Sequence, residues 1–214
     1  MKKILILSIA LVSGMVAFAQ EGQGFGLSAG GGMIMAKQKS STSIAGQKTT
    51  STDSGVGFYL NAGLANDLGL GGLGYSMDLF FDHWFLSPDE GDGDATVREN
   101  YLGYALALDI TFNASETLAL RPFFGPGFSY GLSSKTKWTN PVSKQEETMN
   151  NYDKDSKYQR LYSYLTIGAD VLIKPALLRL RGAVDFGLWD RYSSVKEITT
   201  KDGPNFRLGV AYLF

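Results

Sequence analysis

Three glycines with the spacing of a dinucleotide-binding turn lie in the stretch GLGGLG at 69–74. Gly69, Gly71 and Gly74 match G-x-G-x-x-G, which binds a pyrophosphate only where a strand enters the loop and a helix follows it. The next residues, YSMDLFFDHWF, alternate in hydrophobicity and lack the period of an amphipathic helix. We therefore interpret the glycines as a tight turn running into a strand, because glycine adopts the positive φ angles that reversals need.

A second candidate for chemistry is His83, the only histidine of the chain. A histidine-dependent nucleophilic site would have to use it. The alternation of the surrounding residues places His83 on an outward face beside Trp84 and Phe85, and such rings are common at membrane interfaces. Ser163 also points outward but belongs to a distant strand. The sequence shows no polar group converging on His83, so we predict an interfacial rather than a catalytic role.

Four carboxylates cluster in the segment SPDEGDGDATVREN: Asp89, Glu90, Asp92 and Asp94. Such a cluster can bind calcium, but the EF-hand spacing is absent, so a solvated acidic loop is expected and calcium remains the alternative. The chain has no cysteine, which excludes disulfides and thiol chemistry. A net charge of −1 gives no argument for nucleic-acid binding.

The elements that would position these residues are eight segments that alternate between bulky apolar and small or polar residues. In the clearest, 101–113, Leu106 and Leu108 lie opposite Ala105 and Ala107. A period of two sustained over about ten residues indicates a β-strand. The predicted strands span 24–37, 54–65, 73–86, 101–113, 118–132, 159–173, 177–191 and 205–214.

The connections between these strands are alternately long and short. Long polar loops follow the first, third, fifth and seventh strands, including 38–53 and 133–157, and short turns follow the second, fourth and sixth. Outer-membrane barrels have this asymmetry, with turns in the periplasm and loops outside. The sequence therefore predicts an all-β fold, an eight-stranded antiparallel up-and-down transmembrane β-barrel, monomeric.

A soluble barrel with its apolar face inward is the main alternative fold. An eight-stranded barrel has an interior just wide enough for side chains to fill, and five or six bulky residues per strand would overfill it. The bulky faces must point outward, into lipid. The outward positions in the cores of the strands carry no charge, as expected where Arg or Lys at the bilayer midplane costs about 2–4 kcal/mol.

The opposite faces point inward and carry both signs of charge. The inward charges are Asp78, Asp82, Asp109, Arg121, Arg160, Asp170, Arg179, Arg181, Asp185 and Arg207. Unpaired, they would be costly to bury, so we predict a structural network of ion pairs rather than a catalytic pair or an ion path. The turn after the fourth strand should bring Asp109 opposite Arg121. The turn after the sixth strand should bring Asp170 opposite Arg181.

The beginning of the chain has the pattern of a signal peptide. Lys2 and Lys3 precede an apolar stretch at 4–18, and an A-x-A cleavage site follows at 17–19. We predict a signal peptide at 1–19 and an outer-membrane barrel domain at 20–214. Met15 stands where a lipoprotein cleavage box would require cysteine, so no lipid anchor is expected.

From about residue 24 onward, the chain resembles the small outer-membrane β-barrel family of Gram-negative bacteria, the group of OmpX and the OmpA transmembrane domain. The most specific part of the resemblance is the segment FRLGVAYLF, with its alternating set Phe206, Leu208, Val210, Tyr212 and Phe214. In that family this pattern is the signal read by the barrel-assembly machinery. The resemblance implies a location in the cell outer membrane.

The resemblance further implies three kinds of partner: outer-membrane lipid and lipopolysaccharide, the assembly machinery, and an extracellular partner bound by the loops. We expect no cofactor and a non-enzymatic role, either envelope-structural or in surface interaction. One alternative is an outer-membrane lipid-modifying enzyme, although the lipid A deacylases carry a His-x-Ser motif and Phe85 stands at its serine position. A small channel is the other alternative.

Overall fold

The structure, a computed structural model, describes residues 26–44, 47–88, 95–140, 142–153, 158–188 and 198–214. The predicted signal peptide and the acidic cluster at 89–94 lie outside these residues. No helix in the described ranges is long and apolar enough to span a membrane.

The described residues form antiparallel strands and one 3₁₀ turn at Lys174–Ala176. The strands are β1 (Gly26–Ile44), β2 (Gln47–Leu70), β3 (Leu73–Pro88), β4 (Thr96–Ile110), β5 (Phe112–Asn113), β6 (Leu118–Thr139), β7 (Glu146–Asn150), β8 (Leu161–Ile173), β9 (Leu178–Gly187), β10 (Ile198–Asp202) and β11 (Asn205–Leu213). Eight of them close a ring in the order β1, β2, β3, β4, β6, β8, β9 and β11, with β11 pairing back to β1. The predicted eight-stranded barrel is confirmed.

The first hairpin extends well beyond the predicted strands. The β1–β2 pairing continues to Ile44 opposite Gln47, although the sequence predicted a polar loop at 38–53. That prediction was wrong because a strand with solvent on both sides has no apolar face to produce an alternating pattern. Its threonines still favour extended backbone.

The same correction applies to the predicted loop at 133–157. Within it, β6 continues to Thr139 and pairs with β7, where Lys137 lies opposite Thr148. Strand β10 pairs with the upper part of β1 in the same region. We call this strand-built extension at the long-loop end of the barrel the rim; it comprises 37–44, 47–54, 135–139, β7 and β10.

At the opposite end, β2 and β3 are joined by a two-residue turn. Gly71 and Gly72 have φ angles of 62° and 86°, in the region that glycine occupies at little cost. The predicted glycine turn is confirmed for these two residues. Gly69 and Gly74 lie within β2 and β3.

The two faces of the ring differ in side-chain size and polarity, as predicted. Large apolar side chains such as Leu60, Leu106 and Leu208 are on the outside and exposed. The inward face has small residues, aromatic rings and charged groups, and Asp170 and Arg179 are buried there. The core of this protein is therefore polar and lies inside the barrel.

Candidate functional site

The lower part of the lumen contains five side chains of alternating charge. Asp78 accepts hydrogen bonds from Arg179 at 3.0 Å and from Arg181 at 2.6 Å. Asp170 accepts from Arg181 at 2.8 Å and from Arg121 at 2.8 Å. Since β3 and β9 are four strands apart in the ring of eight, the bond between Asp78 and Arg181 joins opposite walls. We call these five residues the lower charged layer.

Strand register accounts for part of this layer. Asp170 on β8 lies directly opposite Arg181 on β9, as the sequence predicted, and opposite Arg121 on β6. Two arginines therefore flank one carboxylate on neighbouring strands. Charge-assisted bonds to carboxylates of this kind are the strong ones in proteins.

The predicted pairing of Asp109 with Arg121 was wrong. Asp109 lies opposite Phe123, because the turn between β4 and β6 is centred one residue later than expected. Ser115 fixes this turn: its Oγ accepts hydrogen bonds from the backbone N–H groups of Thr117 and Leu118, at 3.2 and 3.1 Å. Asp109 is buried, makes no ion pair within the described part of the chain, and has one carboxylate oxygen without a hydrogen-bond partner there.

A second ion-paired group, the upper charged layer, lies nearer the rim. Arg207 donates two hydrogen bonds of 2.8 Å to Asp82, which is three strands away in the ring, and one of 2.5 Å to Asp185 on the neighbouring strand. The guanidinium also lies over the rings of Phe80 and Tyr59, at 4.8 and 5.5 Å from their centroids. The buried guanidinium of Arg207 is therefore stabilised by the two carboxylates and by cation–π attraction to the two rings.

Aromatic side chains fill the lumen around the upper layer. Trp84, Tyr101 and Tyr162 are in mutual ring contact and are buried. Their neighbour Tyr164 lies against Gly127, where an added Cβ would collide with the tyrosine ring. The glycine on β6 is thus required for close approach of a large inward ring, which explains small residues on the inward face.

Arg160 was predicted to join the interior network, and the structure corrects this. Its guanidinium donates to the backbone carbonyl of Gly131 at 3.1 Å and lies 4.4 Å from the centroid of the Tyr152 ring. Within the described ranges no carboxylate pairs with it. Of the ten predicted residues, the structure therefore brings eight into the two layers and leaves Arg160 and Asp109 outside them.

Sequence reasoning missed Glu99, a fully buried carboxylate near the rim. It accepts hydrogen bonds from Tyr101, from Ser134 at 2.7 Å and from Tyr158 at 3.1 Å. A cavity of about 270 Å³ opens above it, lined also by Gln38 and Asn151 among other residues. Glu99 was missed because it precedes the predicted start of its strand at 101, whereas β4 begins at Thr96.

His83 faces outward as predicted, but it has polar neighbours that the sequence did not reveal. Its Nδ1–H donates to Oδ1 of Asn100 at 2.5 Å, and Nδ2 of Asn100 donates to Oγ of Ser133 at 2.6 Å. Ser133 reaches this face because the register of β4 and β6 shifts between Asn100 and Tyr101. Rings of Phe58 and Phe85 flank the imidazole on its own face.

This outward row does not have the connectivity of a nucleophilic site. The serine is bonded to the amide of Asn100, which donates to Oγ and cannot remove its proton. Activation of a serine requires its hydroxyl to lie within hydrogen-bond reach of the base. Elsewhere in the described ranges, no group of three or more histidine, aspartate or glutamate side chains could hold a metal ion.

Together, an apolar outer face, a closed antiparallel ring and two ion-paired layers across the lumen define the architecture. The chain has the fold of the small outer-membrane β-barrels. Neither protein-family models nor curated protein sequences match it.

Solved structures similar to this barrel include Ail, the attachment invasion locus protein of Yersinia pestis, at 15% identity over 90% of this chain and 100% of Ail, with a TM-score of 0.35. Neisserial surface protein A is 12% identical over 91% of this chain and 100% of its own, with a TM-score of 0.45. The translocator domain of NalP from Neisseria meningitidis is 11% identical over 99% of this chain and 96% of its own, with a TM-score of 0.29.

Proposed function

We propose that this protein is a non-enzymatic integral outer-membrane protein whose barrel anchors a strand-built rim at the cell surface. The observation that carries the proposal is the contrast between a lumen crossed by two ion-paired layers and an extended rim. The two charged layers span the ring, while β1 and β2 continue as a paired hairpin to Ile44 and Gln47. The role is envelope-structural or interactive, and the rim supplies the surface for an extracellular partner.

Conduction through the lumen is disfavoured by its filling. The cavity between the two layers, lined by Asp78, Arg181 and Arg207, has a volume of only about 10 Å³. That is at the lower limit for one water molecule. Aqueous channels are formed by barrels of about 16–18 strands.

Two features support export and assembly into the outer membrane as part of this proposal. The signal peptide proposed at 1–19 would direct export and be cleaved. Strand β11 pairs with both β9 and β1 and so closes the ring, and an unclosed edge in lipid would leave backbone groups unsatisfied. The proposed signal for the barrel-assembly machinery consists of the outward residues of this strand and the residue that follows it: Phe206, Leu208, Val210, Tyr212 and Phe214.

Single-cysteine labelling in intact cells tests the proposed location and orientation, because the chain has no native cysteine. Thr49 lies in the rim, and Glu116 lies in the turn between β4 and β6; both are exposed. A membrane-impermeant maleimide should label Thr49→Cys in intact cells and Glu116→Cys only after the outer membrane is permeabilised. The reverse order of labelling, or no labelling of Thr49→Cys before lysis, would contradict the proposal.

A variant with a shortened rim distinguishes an envelope-structural role of the barrel from a role in surface interaction. Gln38 and Asp53 are register partners, so residues 39–52 can be replaced by Asn-Gly, which favours a two-residue hairpin turn. Trimmed protein should reach the membrane in normal amounts. If the role is envelope-structural and is carried out by the barrel wall, cells with the trimmed protein should resist detergent like the wild type. If the role requires the rim, these cells should be as sensitive to detergent as the deletion strain.

A lipid-modifying enzyme is the second candidate, favoured by the hydrogen-bonded row of His83, Asn100 and Ser133 on the outer face. Refolded protein would be incubated with mixed micelles of phospholipid and lipopolysaccharide, and released fatty acid measured. We expect no release above that of the His83→Gln variant. Release by the wild type that is lost in this variant would establish the enzymatic function.

A further inference from the structure

The cavity of about 270 Å³ above Glu99 lies at the rim end of the lumen, and rim strands form part of its wall. Gln38 and Asp53 come from the first hairpin, and Thr136 and Met149 come from β6 and β7. The volume is near the lower end of the range for small-molecule sites. Among the described residues that line the cavity there is no lysine or arginine, and the two charged ones, Glu99 and Asp53, are both acids.

Glu99 differs from the buried carboxylates of the two charged layers. Each of those four carboxylates bonds at least one arginine. Glu99 accepts hydrogen bonds from the neutral hydroxyls of Tyr101, Ser134 and Tyr158, and no lysine or arginine in the described part of the chain pairs with it. Because a buried charge is costly without a partner of opposite sign, a cation near Glu99 would be stabilising.

The carboxylate also fixes the direction of the hydrogen bonds around it. A carboxylate only accepts, so the hydroxyl protons of Ser134 and Tyr158 are directed at Glu99. The oxygens of these hydroxyls then accept, from Nδ2 of Asn151 at 2.8 Å and from Nε2 of Gln38 at 3.0 Å. Both amides therefore turn their NH₂ groups toward this network, and an occupant of the cavity meets their oxygen atoms.

A cation in the cavity would interact with Glu99 through this network, since the side chain of Glu99 is 0% exposed. Charges in such water-poor surroundings interact more strongly than in bulk water. Asp53 adds a second carboxylate to the wall, and Val97 and Met149 add apolar surface.

These surroundings indicate the chemical class of the cation. An ammonium group has three N–H donors and no acceptor, which matches a wall of oxygen atoms, and the apolar residues suit a short hydrocarbon chain. Calcium and magnesium require several oxygen ligands, commonly carboxylates. The described residues contain no group of three or more histidine or acidic side chains that could hold a metal ion.

We propose that this cavity binds an organic cation that carries a primary ammonium group on a short apolar chain. The ammonium group donates to the amide oxygens of Gln38 and Asn151 and pairs with Asp53, while Glu99 supplies a second negative charge beneath them. The cation is a free amine or the lysine side chain of a partner protein. This inference deepens the proposed function and rests on it for the exposure of the rim to the cell exterior.

Nuclear magnetic resonance of refolded protein in zwitterionic detergent micelles tests the site, with butylammonium at neutral pH as the probe. The side-chain NH₂ signals of Gln38 and Asn151 should shift saturably as the probe is added. Glu99→Gln should weaken the affinity by at least about tenfold, because it removes the buried charge and places an NH₂ group among the donors. Asp53→Asn should weaken it about threefold, because the charge of Asp53 is partly exposed.

The matched control is Glu147→Gln, which removes the same charge from an exposed rim position outside the cavity and should bind like the wild type. The absence of a saturable shift in the wild type would overturn the site. So would an affinity of either cavity variant equal to that of the control. Asp53→Asn keeps the test decisive if Glu99→Gln does not refold, because Asp53 makes none of the three hydroxyl bonds to Glu99.

Further probes identify the group that is recognised. Equal affinity for 1-butanol would overturn the role of charge, and equal affinity for tetramethylammonium, which has no N–H donor, would overturn the role of hydrogen bonding. Tighter binding of a blocked glycyl-lysyl-glycine peptide than of butylammonium would support a lysine side chain as the source, and weaker binding would support a free amine. If binding fails while Thr49→Cys and Glu116→Cys label as expected, this site is rejected and the proposed location stands.

Discussion

Arg181 holds together the lower charged layer, so its removal is the most informative perturbation of the lumen. Its guanidinium bonds both Asp78 and Asp170, and all three side chains are buried. In an Arg181→Met variant the volume is approximately kept, but each carboxylate retains a single arginine, Arg179 or Arg121 respectively. The opposite walls lose the Arg181–Asp78 bond, and the Arg179–Asp78 bond remains to join β3 to β9.

The expected cost follows from the burial of the two carboxylates. Removing one partner of a buried ion pair typically costs about 3–5 kcal/mol, because the charge left behind is uncompensated. The remaining arginines reduce this penalty and the loss of two pairs increases it, so we expect Arg181→Met to lose about 3–5 kcal/mol of unfolding free energy. Neutralising the carboxylates as well, in Arg181→Met/Asp78→Asn/Asp170→Asn, should lower the stability further, because Arg179 and Arg121 are then buried without a carboxylate.

The assay is reversible urea unfolding of protein reconstituted in short-chain phosphatidylcholine vesicles, followed by tryptophan fluorescence. Lys137→Met is the matched control: it removes a cation from an ion pair whose side chains are 48% and 65% exposed, and such pairs are worth about 0–1 kcal/mol. A loss in Arg181→Met no larger than in Lys137→Met would refute the argument that this layer is a buried, energetically coupled network.

Three other predictions concern packing, turn geometry and conduction. Gly127→Ala should destabilise the barrel by about 1–3 kcal/mol through overpacking against Tyr164, whereas Gly182→Ala, with only an ordinary contact at 3.8 Å, should not; equal urea midpoints would contradict this. At Gly71, with φ of 62°, valine should cost about 1–2 kcal/mol and asparagine much less, and equal losses in the same assay would argue against the turn. Planar-bilayer recordings should show no steady single-channel current, and large stable currents would show that the lumen is open.

Hydrophobic alternation predicted the transmembrane part of this fold because lipid imposes it. On β4, the sequence predicted that Leu106 and Leu108 point outward and that Ala105 and Ala107 point inward. In the structure the two leucines are exposed and the two alanines are buried. The hairpin above 38 and the extension of β6 carry no such pattern, since water contacts both of their faces. Strand ends outside the membrane therefore could not be located from periodicity.

Pairing inside the lumen was predictable only where a short turn fixes the register. The 3₁₀ turn at Lys174–Ala176 brings Asp170 opposite Arg181 as expected, whereas the hydrogen bonds of Ser115 shift the other turn and separate Asp109 from Arg121. Contacts across the lumen form only when the ring closes, so the sequence around each residue does not reveal them. The outward row at His83 was hidden for a similar reason, because a register shift beside Asn100 creates it.

The central claim is that the bulky apolar face of each strand contacts lipid while the opposite face is buried in the lumen. Spin labels attached to single cysteines at successive positions 102–108 of β4 test it directly, in vesicles, by collision with lipid-soluble oxygen. We predict high oxygen accessibility at Leu102, Tyr104, Leu106 and Leu108 and low accessibility at the residues between them. Low accessibility at these four positions and high accessibility at the intervening ones would show that the apolar face points inward and would contradict the transmembrane barrel.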